Sequence, residues 1–281
     1  MCGHKFQHKR KPIRLATQLA QQYIWQRQTY ADLAEKYGRS SKWVQRKLDC
    51  TQVRSVVHLK KDSELVLTAD TTFFSRACGL TAFRDVRLKK IVWWRKTMTE
   101  NAEIYRLGKE HLEKNGFRIV AVVLDGRIGI REVFSGIPVQ MCHFHQKQIV
   151  NRHLTTRPKL PASIALRDIA RTIPRSTAKE LSQKLSTWFV ICEQFLKQKT
   201  TDVLTGHWCY THKRTRAAYR SLIKNLPYLY TYQTYPELDI PNTTNSLDGY
   251  FNRLKSLLNV HRGLSPKRRY KMIIKIFAGN Q

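Results

Sequence analysis

RIVAVVLDG, residues 118–126, is the stretch on which the reading of this chain turns. Ile119–Leu124 is its longest unbroken aliphatic run, and it is far short of the roughly twenty residues a membrane span needs. A β-branched run without alternation is the pattern of a strand covered on both faces, as parallel strands are. Asp125-Gly126, which closes it, has turn chemistry.

Working outward, ELVLTAD at 64–70 is another strand-like run and ends in Asp70. GLTAFRDVRLKKIVWW at 79–94 reads as two further strands, antiparallel partners of the first. Residues 101–114 carry a helical pattern. After RIVAVVLDG come a short helix in GIREVFSG, a short strand in PVQMC and a helix in HFHQKQIVNRHL. Three strands, helix, strand, helix, strand, helix is the ribonuclease-H-like order. The expected fold class is therefore α/β, a ribonuclease-H-like mixed sheet.

Asp70 and Asp125 would then close parallel, adjacent strands, where ligands gather in open α/β sheets. Two carboxylates at such a place repel each other unless a cation lies between them. Their hard oxygens suit Mg²⁺ or Mn²⁺. Taken singly, each Asp is also an ordinary turn residue.

The charge points to the partner. Lys and Arg number 51 against 20 Asp and Glu, a formal net charge of +31 with a pI near 10.3. So large a surplus repels itself unless a polyanion neutralises it, and nucleic acid is the expected polyanion. Hydrophobic residues make up 42%, enough for a core and too many for wholesale disorder. MCGHKFQHKRK has no apolar run behind its basic residues, so it is not read as a secretory signal. The cysteines at 2, 50, 78, 142, 192 and 209 form no framework and fit reduced thiols. A cytoplasmic, nucleoid-associated protein without a membrane partner is expected.

Residues 13–48 read as helices with two punctuation points. Thr29 caps YADLAEKYG, and Ser40 follows Gly38 to cap SKWVQRKL. Ala34, Gly38 and Val44 supply the small crossing residue, the turn glycine and the inner aliphatic of a helix-turn-helix. Lys42, Gln45 and Arg46 would face outward toward base edges or phosphates. A plain helical hairpin packed on the core is the alternative. Ahead of it, Cys2 and His4 look like the last knuckle of a zinc ribbon. Two ligands cannot close a tetrahedral site, so they read as a stray pair.

Cys142-His143-Phe144-His145 suggests zinc only if His207, Cys209 and His212 lie beside it. The preferred reading is that Cys142 ends a buried strand and His145 points to the catalytic face; structural zinc is not expected. Residues 155–238 look like an all-helical insertion, with Leu181, Leu185, Trp188, Phe189, Cys192 and Phe195 on one core-facing stripe. Beyond it lies NTTNSLDGYFNRLK at 242–255. With Asn245 as N-cap, Asp248 occupies the third helical position and can close a capping box worth about 1 kcal/mol. Leu247, Phe251, Leu254 and Leu258 form the buried stripe, leaving Asp248 on a polar face. Gly249 costs roughly 1 kcal/mol inside a helix, which is easier to accept where something approaches closely.

Together, LTADTTFF, VVLDG, MCHFH and NTTNSLDGYFNRLKSLLNVHRGLS resemble the motifs of bacterial insertion-sequence transposases of the Mutator type. The resemblance is to the variant with an N-terminal zinc ribbon and helix-turn-helix. It spans nearly the whole chain, except that the zinc ribbon is truncated and position 248 is Asp where the superfamily usually has Glu. It implies a ribonuclease-H-like core interrupted by the helical insertion and preceded by a helix-turn-helix domain. The implied division is 1–12 as a zinc-ribbon remnant or basic tail, 13–50 as helix-turn-helix and 62–154 as the first part of the core. The insertion at 155–238 and the last core helices with a basic tail at 239–281 complete it.

The implied metal ligands are Asp70, Asp125 and Asp248, holding two Mg²⁺ or Mn²⁺ ions, with His145 contacting the scissile phosphate. The implied activity is metal-dependent strand cleavage and transfer on double-stranded DNA, both terminal inverted repeats and target. Synapsis of two element ends implies a homodimer or higher assembly. Arg262, Lys267, Arg268 and Arg269 in the basic tail would grip backbone phosphates. A DNA-binding regulator or inactive relic, and a nuclease that cuts without joining, are the alternatives.

Overall fold

The computed structural model describes residues 12–50, 63–75 and 78–279. Cys2 and His4 lie outside the described residues. The chain divides into two compact units, Met1–His58 with Gly249–Gln281, and Leu59–Asp248. The unit containing the sheet thus ends at Asp248, and the basic tail is grouped with the N-terminal helices.

The first unit opens with α1 (Pro12–Trp25), α2 (Tyr30–Tyr37) and α3 (Ser41–Asp49). Local chemistry sets their ends. Thr29 accepts from Asp32 N–H while Asp32 accepts from Thr29 N–H, and Ser40 accepts from Trp43 N–H. Gly38 takes the left-handed conformation, φ +58°, that ends α2. Leu19, Tyr23, Leu33, Val44 and Leu48 are buried between the helices.

The second unit is built on a five-stranded sheet ordered β3-β2-β1-β4-β5. Its strands are β1 (Glu64–Ser75), β2 (Cys78–Asp85), β3 (Ile91–Thr97), β4 (Arg118–Leu124) and β5 (Val139–Met141). β1, β2 and β3 pair antiparallel, whereas β4 pairs parallel with both β1 and β5. Between them lie α4 (Ala102–Lys114) and α5 (Ile128–Val133). Along β4 the side chains alternate between two cores. Val122 and Leu124 join Leu65, Leu67, Phe83, Tyr105 and Phe134 on one face, and Ala121 and Val123 join Val66, Cys142 and Ile240 on the other. This two-sided burial is why RIVAVVL reads as a continuous run rather than an alternating one.

Two expectations are corrected here. Asp70 does not close a strand: β1 continues to Ser75, with Asp70 opposite Ala82 of β2. The parallel pairing with β4 nevertheless stops at Thr68↔Val123, so Asp70 lies just past the parallel part of the sheet. The remainder of β1 is sustained by its hairpin with β2 alone.

The segment expected to be all-helical also contains a two-stranded hairpin. After α6 (His143–Leu154) come α7 (Pro161–Arg171) and α8 (Ala178–Lys197). The hairpin follows, β6 (Lys199–Thr201) against β7 (Trp208–Tyr210), then α9 (Lys213–Leu229) and α10 (Thr231–Thr234). The helices share a core of Leu166, Leu181, Leu185, Trp188, Cys192, Ala218 and Leu222. α11 (Asn245–Val260) and α12 (Pro266–Gly279) complete the chain. Along α11, Leu247, Phe251, Leu254 and Leu258 are buried as their spacing requires, with Leu257 beside them.

Candidate metal centre

Three side chains from distant segments meet beyond the end of the parallel strands. Asp70 comes from β1, His145 from the first turn of α6 after β5, and Asp248 from the first turn of α11. One ligand atom from each lies within 4.8 Å of the others. Among the described residues this is the one group of three or more His, Cys, Asp or Glu side chains able to share an ion.

The corner holding His145 is stitched to the approach of α11. His143 N–H donates to Asn242 O at 2.9 Å. Thr244 N–H donates to Cys142 Sγ at 3.4 Å, and Thr244 Oγ1 lies 3.4 Å from the same sulfur. Thr244 Oγ1 also donates to Asp248 Oδ2 at 3.0 Å, which aims that carboxylate. Cys142 is fully buried, so its thiol orients the site from behind rather than reaching solvent.

These bonds settle how α11 starts. The helix begins at Asn245, and Thr244 O accepts from both Leu247 N–H and Asp248 N–H. Thr244 therefore stands where Asn245 was expected, and Asp248 is one position too far along to close a capping box. Its carboxylate accepts from a side-chain hydroxyl instead. Among the described residues, Gly249 meets nothing within 4 Å of where a Cβ would be.

Asp70 and His145 shift one another's protonation. Burial is the main reason Asp70 is pushed up to about 8, with Asp248 and Glu100 adding repulsion and His145 opposing it. The Cys142 thiol beside the ring is the main reason His145 is pushed up to about 9. Burial raises Cys142, but the His145 ring and Thr244 outweigh it and leave the thiol below its ordinary value. His145 Nδ1 is buried with no well-aligned hydrogen-bond partner among the described residues. Two carboxylates and an imidazole brought this close could together hold one divalent ion. The imidazole tilts that set toward Mn²⁺ over Mg²⁺.

Asp125 does not join this group. Its Oδ1 accepts from Arg127 N–H at 3.1 Å, and its Oδ2 lies 3.4 Å from Arg127 Nε. The turn that carries it is forced by packing: Gly126 has φ +93°, and a Cβ there would sit 2.2 Å from Met141 Sδ. Arg127 Nη2 also reaches Glu100 Oε2 at 3.0 Å, so one guanidinium joins two acids. Tyr105 Oη donates to Glu100 Oε1 at 2.8 Å and lies 3.3 Å from Thr71 Oγ1. Burial and the Asp125 charge raise Glu100 above its ordinary value. Glu100 and Tyr105 went unnoticed in the sequence. The available signal was an acid just before Asn101, the N-cap of α4.

The residues expected at DNA divide. Lys42 and Arg46 are exposed on α3, with Gln45 half-buried beside them. Arg262 and Lys267 are exposed. Arg268 turns inward: its Nε and Nη2 donate to Asp49 Oδ2 at 3.1 and 2.9 Å. Lys271 Nζ donates to Asp49 O at 2.9 Å and Lys275 Nζ to Leu48 O at 2.7 Å. This part of the basic tail therefore caps the carbonyls at the end of α3, where the helix dipole favours cations. Arg269 is half-buried, with Nε enclosed. His212 stacks on Phe195 and pairs with Gln198 Oε1 at 2.8 Å, away from any metal group.

No family model matches the sequence, and no curated protein matches it. Among solved structures, a chain from a simian T-cell lymphotropic virus intasome in complex with PP2A regulatory subunit B56 gamma is similar at 10% identity. The match covers 73% of this chain and 68% of that one with a TM-score of 0.23, too low to carry an argument. Fold and site define a mixed α/β chain with a carboxylate–imidazole cluster at the carboxyl end of its parallel strands. No helix among the described residues is long and apolar enough to cross a membrane.

Proposed function

We propose that the chain is a DNA transposase with a ribonuclease-H-like core, cleaving and joining strands at the ends of a mobile element. The observation that carries this reading is the convergence of Asp70, Asp248 and His145 from three segments in a chain of net charge +31. The strand order and the mixture of antiparallel and parallel pairing support it.

Asp70, Asp248 and His145 would hold a divalent ion, Mn²⁺ or Mg²⁺. Such an ion supplies Lewis-acid stabilisation and lowers the pKa of an attacking water. Thr244 aims Asp248, and Cys142 fixes Thr244. Asp125 and Glu100 are the remaining carboxylates for a second ion, both engaged by Arg127. Lys42, Gln45 and Arg46 on α3 are the groups proposed to read terminal inverted repeats, with the protein acting as a dimer or larger assembly among cytoplasmic DNA.

Labelled element ends incubated with the protein and Mn²⁺ or Mg²⁺ test this. Nicked and joined products are expected, and Asp70→Ala or Asp248→Ala should lower the rate by about 10²-fold or more. Binding without nicks at any metal concentration would sink the enzymatic reading. The Arg127 bridge across Asp125 and Glu100 favours one alternative, a DNA-binding relic without chemistry. That alternative expects Arg127→Ala to leave the protein inactive.

A further inference from the structure

Asn225 of α9 lies between the two halves of the candidate site. It is buried, and both ends of its amide are engaged. Its Oδ1 accepts from Arg131 Nη2 at 2.9 Å, and the same nitrogen lies 3.3 Å from Gly126 O, in the turn that carries Asp125. Its Nδ2 donates to Gln146 Oε1 at 2.7 Å, in the residue after His145. Gln146 is fully buried and passes the chain on to Ser221 Oγ, again on α9, at 3.3 Å. Arg131 stacks its guanidinium 3.8 Å from the ring centroid of Tyr228, one helical turn beyond Asn225.

We infer that Asn225 is a positioning residue that holds the Asp125 turn and the His145 helix in one fixed relation. The two segments leave the sheet from neighbouring strands, β4 and β5, whose pairing ends at Leu124↔Met141. Beyond that point no ladder holds them together. An amide with one acceptor and one donor suits the gap: it offers an acceptor to the cation on one side and a donor to a glutamine oxygen on the other. The buried Arg131 makes the link costly to break, since removing Asn225 Oδ1 takes a hydrogen-bond acceptor from a buried charge and leaves it the Gly126 carbonyl and the Tyr228 ring. The catalytic part of this inference rests on the proposed function; the mechanical part does not.

The full chain carries the test. In Asn225→Leu, amide exchange at 125–131 and 143–147 should quicken together by about tenfold or more, while β1–β3 stay within about twofold. Gln146→Met makes the same point from one end. It should quicken exchange at 125–131 several-fold, although Gln146 itself makes no hydrogen bond to that turn among the described residues. With labelled DNA ends and Mn²⁺, Asn225→Leu should slow single-turnover cleavage by about 10–100-fold with duplex affinity unchanged.

Exchange that rises uniformly through the sheet would make Asn225 an ordinary core residue and overturn the inference. So would a 125–131 segment left unmoved by Gln146→Met, the variant that decides if Asn225→Leu does not fold. If the wild-type protein cuts no DNA, the proposed function fails while the exchange measurements still judge the coupling.

Discussion

Asp70→Asn should make the metal-free protein more stable while removing its response to metal. The carboxyl is pushed from its ordinary 3.8 to about 8, chiefly by burial. At pH 7 the folded acid keeps a proton that the unfolded chain releases, which costs about 4 kcal/mol if the whole shift counts. Asp70 retains some exposure, so about 2 kcal/mol is the working value. The sign follows from the raised pKa. This group's contribution is intact below 3.8 and is lost as pH rises toward 8, so wild-type stability should fall across that window. Asparagine matches the protonated carboxyl in shape and never ionises, so the variant should lose most of that slope. Added Mn²⁺ should do the reverse, raising the wild type by about 3 kcal/mol at a hundredfold excess over its Kd and leaving the variant unmoved. Urea unfolding at pH 5, 7 and 8, with chelator or with Mn²⁺, measures both effects. A variant less stable than wild type without metal, or one that gains as much from Mn²⁺, would refute the assignment of Asp70 as a buried ligand.

Lys275 gives a second pH signature, in the other unit. Burial lowers it from 10.5 to about 8, so the unfolded lysine holds its proton over a range where the folded one does not. Stability should therefore rise between those values, by about 1 kcal/mol after allowance for partial exposure, and Lys275→Met should flatten the rise. Protection of α3 and α12 amides, corrected for intrinsic pH effects, reads this; parallel curves would rule it out. Arg268→Ala should weaken the packing of α12 on α3 and leave the salt dependence of DNA binding unchanged. Arg46→Ala should instead reduce the slope of log K against log salt by about 1, and the opposite pattern would reverse the two roles. Gly249→Ala should stabilise α11 by about 0.5–1 kcal/mol, because a Cβ there meets nothing. A lower urea midpoint for that variant would show a contact at Gly249 that the fold does not contain.

Most of what the chain discloses locally is punctuation and period. Thr29, Gly38 and Ser40 set the helix ends they were expected to set, because a cap is formed within a few residues of itself. RIVAVVL is legible as a doubly covered strand because both of its faces are apolar. Asp70, His145 and Asp248 were each recognisable as candidates from strand position or motif. Their grouping, with Asp125 as a fourth member, came from the resemblance and not from any pattern along the chain. The structure brings His145 together with Asp70 and Asp248, whereas Asp125 lies outside that group with its carboxylate engaged by Arg127. Thr244, not Asn245, stands in the cap position ahead of α11, and a buried cysteine thiol a hundred residues upstream accepts from its amide. Arg268 looks like part of a phosphate grip in sequence, yet in the fold it binds the Asp49 carboxylate while Lys271 and Lys275 cap carbonyls at the end of α3.

The sequence by itself thus determined most of the elements, the basic character and a set of candidate side chains. Only the tertiary structure decided which of them share a site, since charge and hydrogen-bond partners depend on distance through space, and a pattern along the chain records distance only between near neighbours.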